Sequence, residues 1–172
     1  MIQTFSGKNK GVTRGGYNRG VWLLAICLSL FQETSHGVEL PDQWMQDFKK
    51  AKVKAAKANK PVFAVFSTSW CGPCQRLVHQ IYPQKKVIEA LDHFIPVYID
   101  GDIHTDLLTQ FGVNAFPTMI ILDPSGQETT RFGGGASTAK AFIERLAEVR
   151  EYTEKIGKLN AGLKENPEDI FL

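Results

Sequence analysis

An α/β fold, a central mixed β-sheet flanked by helices on both faces, is predicted by three features of this 172-residue sequence. Residues 62–66 are apolar without interruption, and in 118–122 Thr118 leads the apolar run Met119 to Leu122, the pattern of strands buried on both faces. Segments with apolar residues at helical spacing alternate with them. Asp123-Pro124-Ser125-Gly126 has the chemistry of a tight turn and leads into a return strand at 129–132, which the turn makes antiparallel. Helix, strand, helix, strand, helix, strand, strand, helix is an order that few small folds accommodate.

The first helix is predicted over 44–58, where Trp44, Met45, Phe48, Ala51 and Ala55 recur between Pro41 and the stop Asn59-Lys60-Pro61. Its lysines, Lys49, Lys50, Lys52, Lys54 and Lys57, read as a solvated face rather than a phosphate site. The strand at 62–66 runs into Ser67-Thr68-Ser69, polar residues suited to starting a helix. Leu77, Val78 and Ile81 mark the buried stripe of that second helix, which Pro83 interrupts and residues 87–91 resume. A strand follows at 94–100, then a short helix at 105–111 that Gly112 terminates. Gly133, Gly134 and Gly135 break the hairpin, and Phe142, Ile143, Leu146 and Val149 give the core face of a long last helix.

Residues 1–37 read apart from the rest. Lys8, Lys10, Arg14 and Arg19 precede an apolar run at 21–31, and the polar residues Gln32, Glu33, Thr34, Ser35 and His36 follow it, which is a signal-peptide profile. The run falls short of the about 20 apolar residues of a spanning helix. Ser35 and Gly37 are the small residues that suit a cut after Gly37. The sequence thus predicts a signal peptide over 1–37, a domain over 38–158 exported to the periplasm or secreted, and a loose polar tail over 159–172. A leader that stays in place as a membrane anchor is the alternative.

Export alters both charge and cysteine content. Of 20 Lys and Arg, four lie in the leader, and of 18 Asp and Glu, one, so 16 and 17 remain and the exported domain is close to neutral. No basic stripe suggests nucleic acid. Of three cysteines, Cys27 goes with the leader, leaving Cys71 and Cys74 in a compartment where disulfides persist.

Trp70-Cys71-Gly72-Pro73-Cys74 stands directly after a buried strand and opens a helix. Zinc would need two further ligands, and His79, His93 and His104 are not spaced as a ligand pair; Gln75 after Cys74 excludes covalent haem attachment. Position favours redox chemistry. At a helix N-terminus Cys71 meets unpaired N–H groups and the positive end of the dipole, so its pKa is expected below the free value of about 8.5, making it the nucleophile. Cys74, one turn on and in line with Leu77 and Val78, is expected to be buried and to resolve the mixed disulfide. Gly72 and Pro73 suit the tight first turn. Trp70 fits either a core aromatic or a lid beside the thiolate.

From about Trp44 to Val149 the sequence resembles the thioredoxin superfamily, in the Trp70 to Cys74 motif and in Phe116-Pro117-Thr118, which looks like that family's cis-proline loop. The resemblance implies the thioredoxin fold and a substrate-docking surface of Trp70, Gly72, Pro73, Phe116, Pro117 and one of Gly133 to Gly135, on which an extended substrate segment adds as a strand. Two departures stand out. Val65 occupies the place of the family's buried aspartate, and the partner lysine is replaced near Pro96. Proton handling at Cys74 must therefore pass to water or to a backbone group near Thr68.

The short spacing from Cys74 to Pro117 is similar to that of exported single-domain thioredoxins and of the C-terminal domain of the thiol:disulfide interchange protein. These likenesses imply a thiol–disulfide oxidoreductase, an enzyme that reduces protein disulfides with Cys71 and Cys74 and is recharged by a membrane electron donor. The redox-active disulfide takes the place of any cofactor; no metal and no nucleic-acid partner is expected, and the protein is expected to be a monomer. The Gly-Pro dipeptide goes, in that family, with a potential of about −270 mV. A disulfide-forming or isomerising catalyst and a non-enzymatic thiol metal-delivery module are the alternative functions.

Overall fold

A computed structural model describes residues 38–165. The predicted leader with its cleavage site, Cys27, and residues 166–172 of the tail lie outside the described residues. The elements are α1 (Phe48–Ala58), β1 (Val62–Ser67), α2 (Gly72–Arg76), a π-helical turn (Leu77–Ile81), α3 (Lys85–Leu91), β2 (Ile95–Asp100), α4 (Thr105–Phe111), β3 (Thr118–Leu122), β4 (Glu128–Gly133) and α5 (Ala139–Glu165).

The sheet has four strands in the order β2-β1-β3-β4. Every residue of β1 is buried. It pairs in parallel with β2, Val65 opposite Tyr98, and antiparallel with β3, Val65 opposite Met119. Because side chains alternate along a strand, β1 divides its residues between two cores. Phe63 and Val65 join Leu77, Val78, Ile81, Tyr82, Phe142 and Leu146 on one face, under α2, α3 and α5. Val62, Ala64 and Phe66 join Phe48, Ala51 and Ala55 on the other, under α1 and α4. This is the thioredoxin fold predicted from the sequence, a mixed sheet with helices on both faces.

Several boundaries match the sequence reading for the reasons given there. Helix α4 ends at Gly112, whose left-handed φ of 59° only glycine adopts freely. β4 returns antiparallel to β3 after the turn, where Asp123 Oδ1 accepts the backbone N–H of Ser125 at 2.9 Å. No described helix is long and apolar enough to cross a membrane.

Three expectations need correction. α1 begins at Phe48, with Asp47 as its cap accepting the Lys50 N–H at 3.0 Å. Trp44 and Met45 precede it: Met45 lies along the open edge of β2, taking the Tyr98 N–H at 2.8 Å and donating to the Pro96 carbonyl at 2.9 Å. Edge hydrogen bonds outweigh another helical turn at a spacing that suits either. Ser67, Thr68 and Ser69 do not cap α2, since Ser67 still belongs to β1 and Cys71 is the cap. Finally, α5 continues through Leu159 to Glu165, where a loose tail was expected. Leu159, Ala161, Leu163, Lys164 and Glu165 are good helix formers and outweigh Gly162 among them.

The second helix is broken before Pro83. Tyr82 N–H reaches back to the Leu77 carbonyl at 2.8 Å, a five-residue step. That wider turn brings Leu77, Val78, Ile81 and Tyr82 to the core together.

Candidate active site

β1 carries the chain through the sheet to its carboxyl end, the turn at Thr68 to Trp70 reverses it, and Cys71 caps α2. Cys71 and Cys74 are joined as a disulfide. The Cys74 N–H donates to Cys71 Sγ at 3.3 Å, so the helix already aims a backbone donor at the sulfur that bears charge when the bond opens. Pro73, in the first turn, withholds an N–H that no helical carbonyl could accept. Cys71 is 6% exposed and Cys74 1%. That ranking fits Cys71 as the sulfur a substrate reaches and Cys74 as the sulfur that follows.

The structure gathers the predicted docking residues around this pair. Phe116–Pro117 is a cis peptide. The Pro117 carbonyl accepts the Gly134 N–H at 3.1 Å, and next to Gly134 the backbone of Gly135 lies against Pro73, where an added Cβ would sit 3.3 Å from Pro73 Cβ. Of the three glycines proposed for the rim, Gly135 is therefore the one that meets the motif. Gly72 is exposed, and an added Cβ there would meet nothing within 4 Å. Trp70 is not a core residue: it is 70% exposed and stands edge-on to Phe116, ring centroids 5.7 Å apart.

Two residues of this rim escaped the sequence reading. Asp102 accepts the Trp70 indole N–H at 3.0 Å and the Ser69 hydroxyl at 3.4 Å, fixing the indole. Gly101 lets the loop close on Phe116, since a Cβ there would lie 2.9 Å from the ring. The signal available was Asp100-Gly101-Asp102 after a strand, a turn sequence in which Asp100 Oδ1 takes the Asp102 N–H at 2.9 Å.

The buried interior is not wholly apolar. Ser67, Thr68, Tyr82 and Tyr98 are buried; the hydroxyls of Thr68 and Tyr82 reach no hydrogen-bond partner, and those of Ser67 and Tyr98 have at most each other. Burial pushes both tyrosines above their ordinary value. For Tyr98 the nearby Ser67 hydroxyl opposes the rise and the Asp100 and Asp102 carboxylates add to it; for Tyr82 the neighbouring Tyr98 adds.

The histidines stand apart. His79 bonds Gln75 at 2.9 Å, His93 meets Arg150 at 2.9 Å, and His104 precedes α4. Among the described residues no three His, Cys, Asp or Glu side chains group as a metal would require. Lys49, Lys50, Lys54 and Lys57 lie exposed along α1, with Lys50 paired to Asp47 at 3.3 Å.

The family model described as Thioredoxin-like domain matches residues 48–150. Protein disulfide-isomerase tigA of Aspergillus niger is 30% identical over 66% of this chain and 30% of its own length. Chloroplastic thioredoxin Y of Oryza sativa subsp. japonica is 34% identical over 55% of this chain and 54% of its own. The chain thus spans about a third to just over half of these relatives. A thioredoxin from Thermus thermophilus superposes with a TM-score of 0.55 at 21% identity, over 62% of this chain and 85% of that one.

Proposed function

Because this chain belongs to the thioredoxin-like domain family, we propose that it is an extracytoplasmic thiol–disulfide oxidoreductase that works as a dithiol reductase of protein disulfides. One observation carries the reading: the bonded Cys71–Cys74 pair at the start of α2, with a backbone N–H directed at Cys71 Sγ. In the reduced state the Cys71 thiolate attacks a substrate disulfide and one substrate thiol leaves. Cys74 then attacks Cys71 Sγ, the second substrate thiol leaves, and the protein ends as the disulfide seen here. Two electrons pass to the substrate, and a membrane dithiol donor returns them.

The rim formed by exposed Trp70, Gly72 and Pro73 beside half-buried Phe116 and buried Pro117 is apolar, which suits unfolded or varied protein partners. Direction follows from potential. Equilibration of Cys71/Cys74 with glutathione is expected near −270 mV; a value near −120 mV would make the protein an oxidant instead. Insulin reduction is expected from the protein and is lost in Cys71→Ser, whereas tight copper binding without turnover would favour the metal-delivery reading. For localisation, the amino terminus of the protein recovered from cells is expected near Val38 in a periplasmic or secreted fraction. Recovery of the intact chain in membranes would instead support the anchored form.

A further inference from the structure

A buried hydroxyl without a partner costs about 1–3 kcal/mol, and such groups in a folded protein ask for an explanation. Ser67 and Tyr98, 1% and 4% exposed, have at most each other. They belong to one place. Ser67 ends β1 on the face that carries Phe63 and Val65, by the alternation of the strand. Tyr98 stands on β2 opposite Val65 in the same core. Leu77 and Val78, the next buried residues after Cys74, pack in that core too. Cys74, itself 1% exposed and one helical turn before Leu77 and Val78, shares their face and so turns to the side of the sheet where these hydroxyls are among the buried polar groups and Val65 supplies no carboxylate.

Cys74 must lose a proton to attack Cys71, and a thiolate in an apolar site needs hydrogen-bond donors. We propose that the Ser67 and Tyr98 hydroxyls are the proton path of Cys74: they donate to its thiolate as it forms and relay its proton to the Asp100–Asp102 loop. This rests on the oxidoreductase reading above. The titratable groups facing Tyr98 are Asp100 on its own strand, Asp102 in the following loop and Tyr82 from the π-helical turn. Burial keeps Tyr98 protonated at neutral pH, so it acts as donor and relay and not as a base. In the step itself the Cys71–Cys74 bond forms, the Cys71–substrate sulfur bond breaks, the substrate sulfur leaves with the electron pair and takes a proton from water, and the Cys74 proton exits along the hydroxyls.

The test is stopped-flow reaction of the reduced protein with 5,5′-dithiobis(2-nitrobenzoate). The first thionitrobenzoate released reports attack by Cys71, the second attack by Cys74. In Tyr98→Phe, which keeps the ring, the second phase is expected to slow about tenfold at pH 7 and its pH midpoint to rise by about one unit, with the first phase unchanged. Ser67→Ala should shift the midpoint in the same direction by less, and gives an independent reading if the tyrosine variant does not fold. A second phase with the wild-type rate and midpoint in both variants, or equal slowing of both phases, overturns the proposal. Wild-type protein that shows no second phase overturns the oxidoreductase reading instead.

Discussion

The two faces of the sheet are built on different principles. The core under α1 and α4 consists of Phe48, Ala51, Ala55, Val62, Ala64, Phe66, Ile95, Val97, Ile99, Ile120 and Leu122, side chains of carbon and hydrogen only. The core under α2, α3 and α5 holds Trp44, Tyr82 and Tyr98, whose polar atoms are buried, and Ser67 lies on the same side. A face that only holds the fold can be dry. The face toward the dithiol helix keeps hydroxyls, a contrast that the proposed proton path of Cys74 would explain.

The largest expected effect comes from emptying the dry face. Phe66 is fully buried, 5.7 Å from the Phe111 ring. Phe66→Ala should lower unfolding stability by about 3–5 kcal/mol, read from urea denaturation, while the potential of the remaining folded protein stays unchanged. A shifted potential would break the division of labour between faces.

The next effect is a pH dependence confined to the dithiol face. Tyr82 and Tyr98 are raised in the folded protein above the value of about 10 they regain on unfolding. The folded state thus holds their protons while the unfolded state releases them. Stability is intact below about pH 10 and falls above it by about 1.4 kcal/mol per pH unit for each tyrosine still protonated in the fold. Denaturation midpoints between pH 9 and 11 would show this, and Tyr82→Phe should flatten the slope by at least half. An unchanged slope would mean that Tyr82 is not shielded as drawn.

Sequence made the dry face legible, and much of the other. Uninterrupted apolar runs locate β1 and β3 because a central strand has no solvent face, and Gly112 and the Asp123 turn punctuate their elements by conformational necessity. Local pattern failed where a distant partner decides. Trp44 and Met45 fit a helix until the open edge of β2 claims them. Asp102 and Trp70 lie 32 residues apart, so no local pattern joins them. Ser67 reads as a cap from its neighbours, and only the register of β1 against β2 turns it toward the core with Tyr98. The motif and the cis-proline loop, by contrast, are short and contiguous, and their place after and before buried strands could be read directly.

A smaller effect isolates the indole. Trp70→Phe removes the indole N–H that Asp102 accepts and leaves Asp102 in place. With both groups exposed, the loss is expected at about 1 kcal/mol, a roughly fivefold fall in kcat/KM for insulin, with little change in stability. Undiminished turnover would show that Trp70 needs no anchoring for docking.

The smallest effect sharpens the contrast at the substrate rim. In Gly135→Ala the new methyl would sit 3.3 Å from Pro73 Cβ and 3.4 Å from the Pro73 carbonyl oxygen, so the loop has to move by a few tenths of an ångström. Its φ does not demand glycine, and the site is at the surface, so stability should change by no more than about 0.5 kcal/mol. The movement is carried to Pro117 through the Gly134 N–H, and Pro117 belongs to the loop whose backbone would pair with an extended substrate segment. KM for a protein disulfide is therefore expected to rise about twofold, a change worth about 0.4 kcal/mol, while attack on 5,5′-dithiobis(2-nitrobenzoate) stays at the wild-type rate. Equal losses on both substrates would place the effect at Cys71 itself and remove Gly135 from the docking surface.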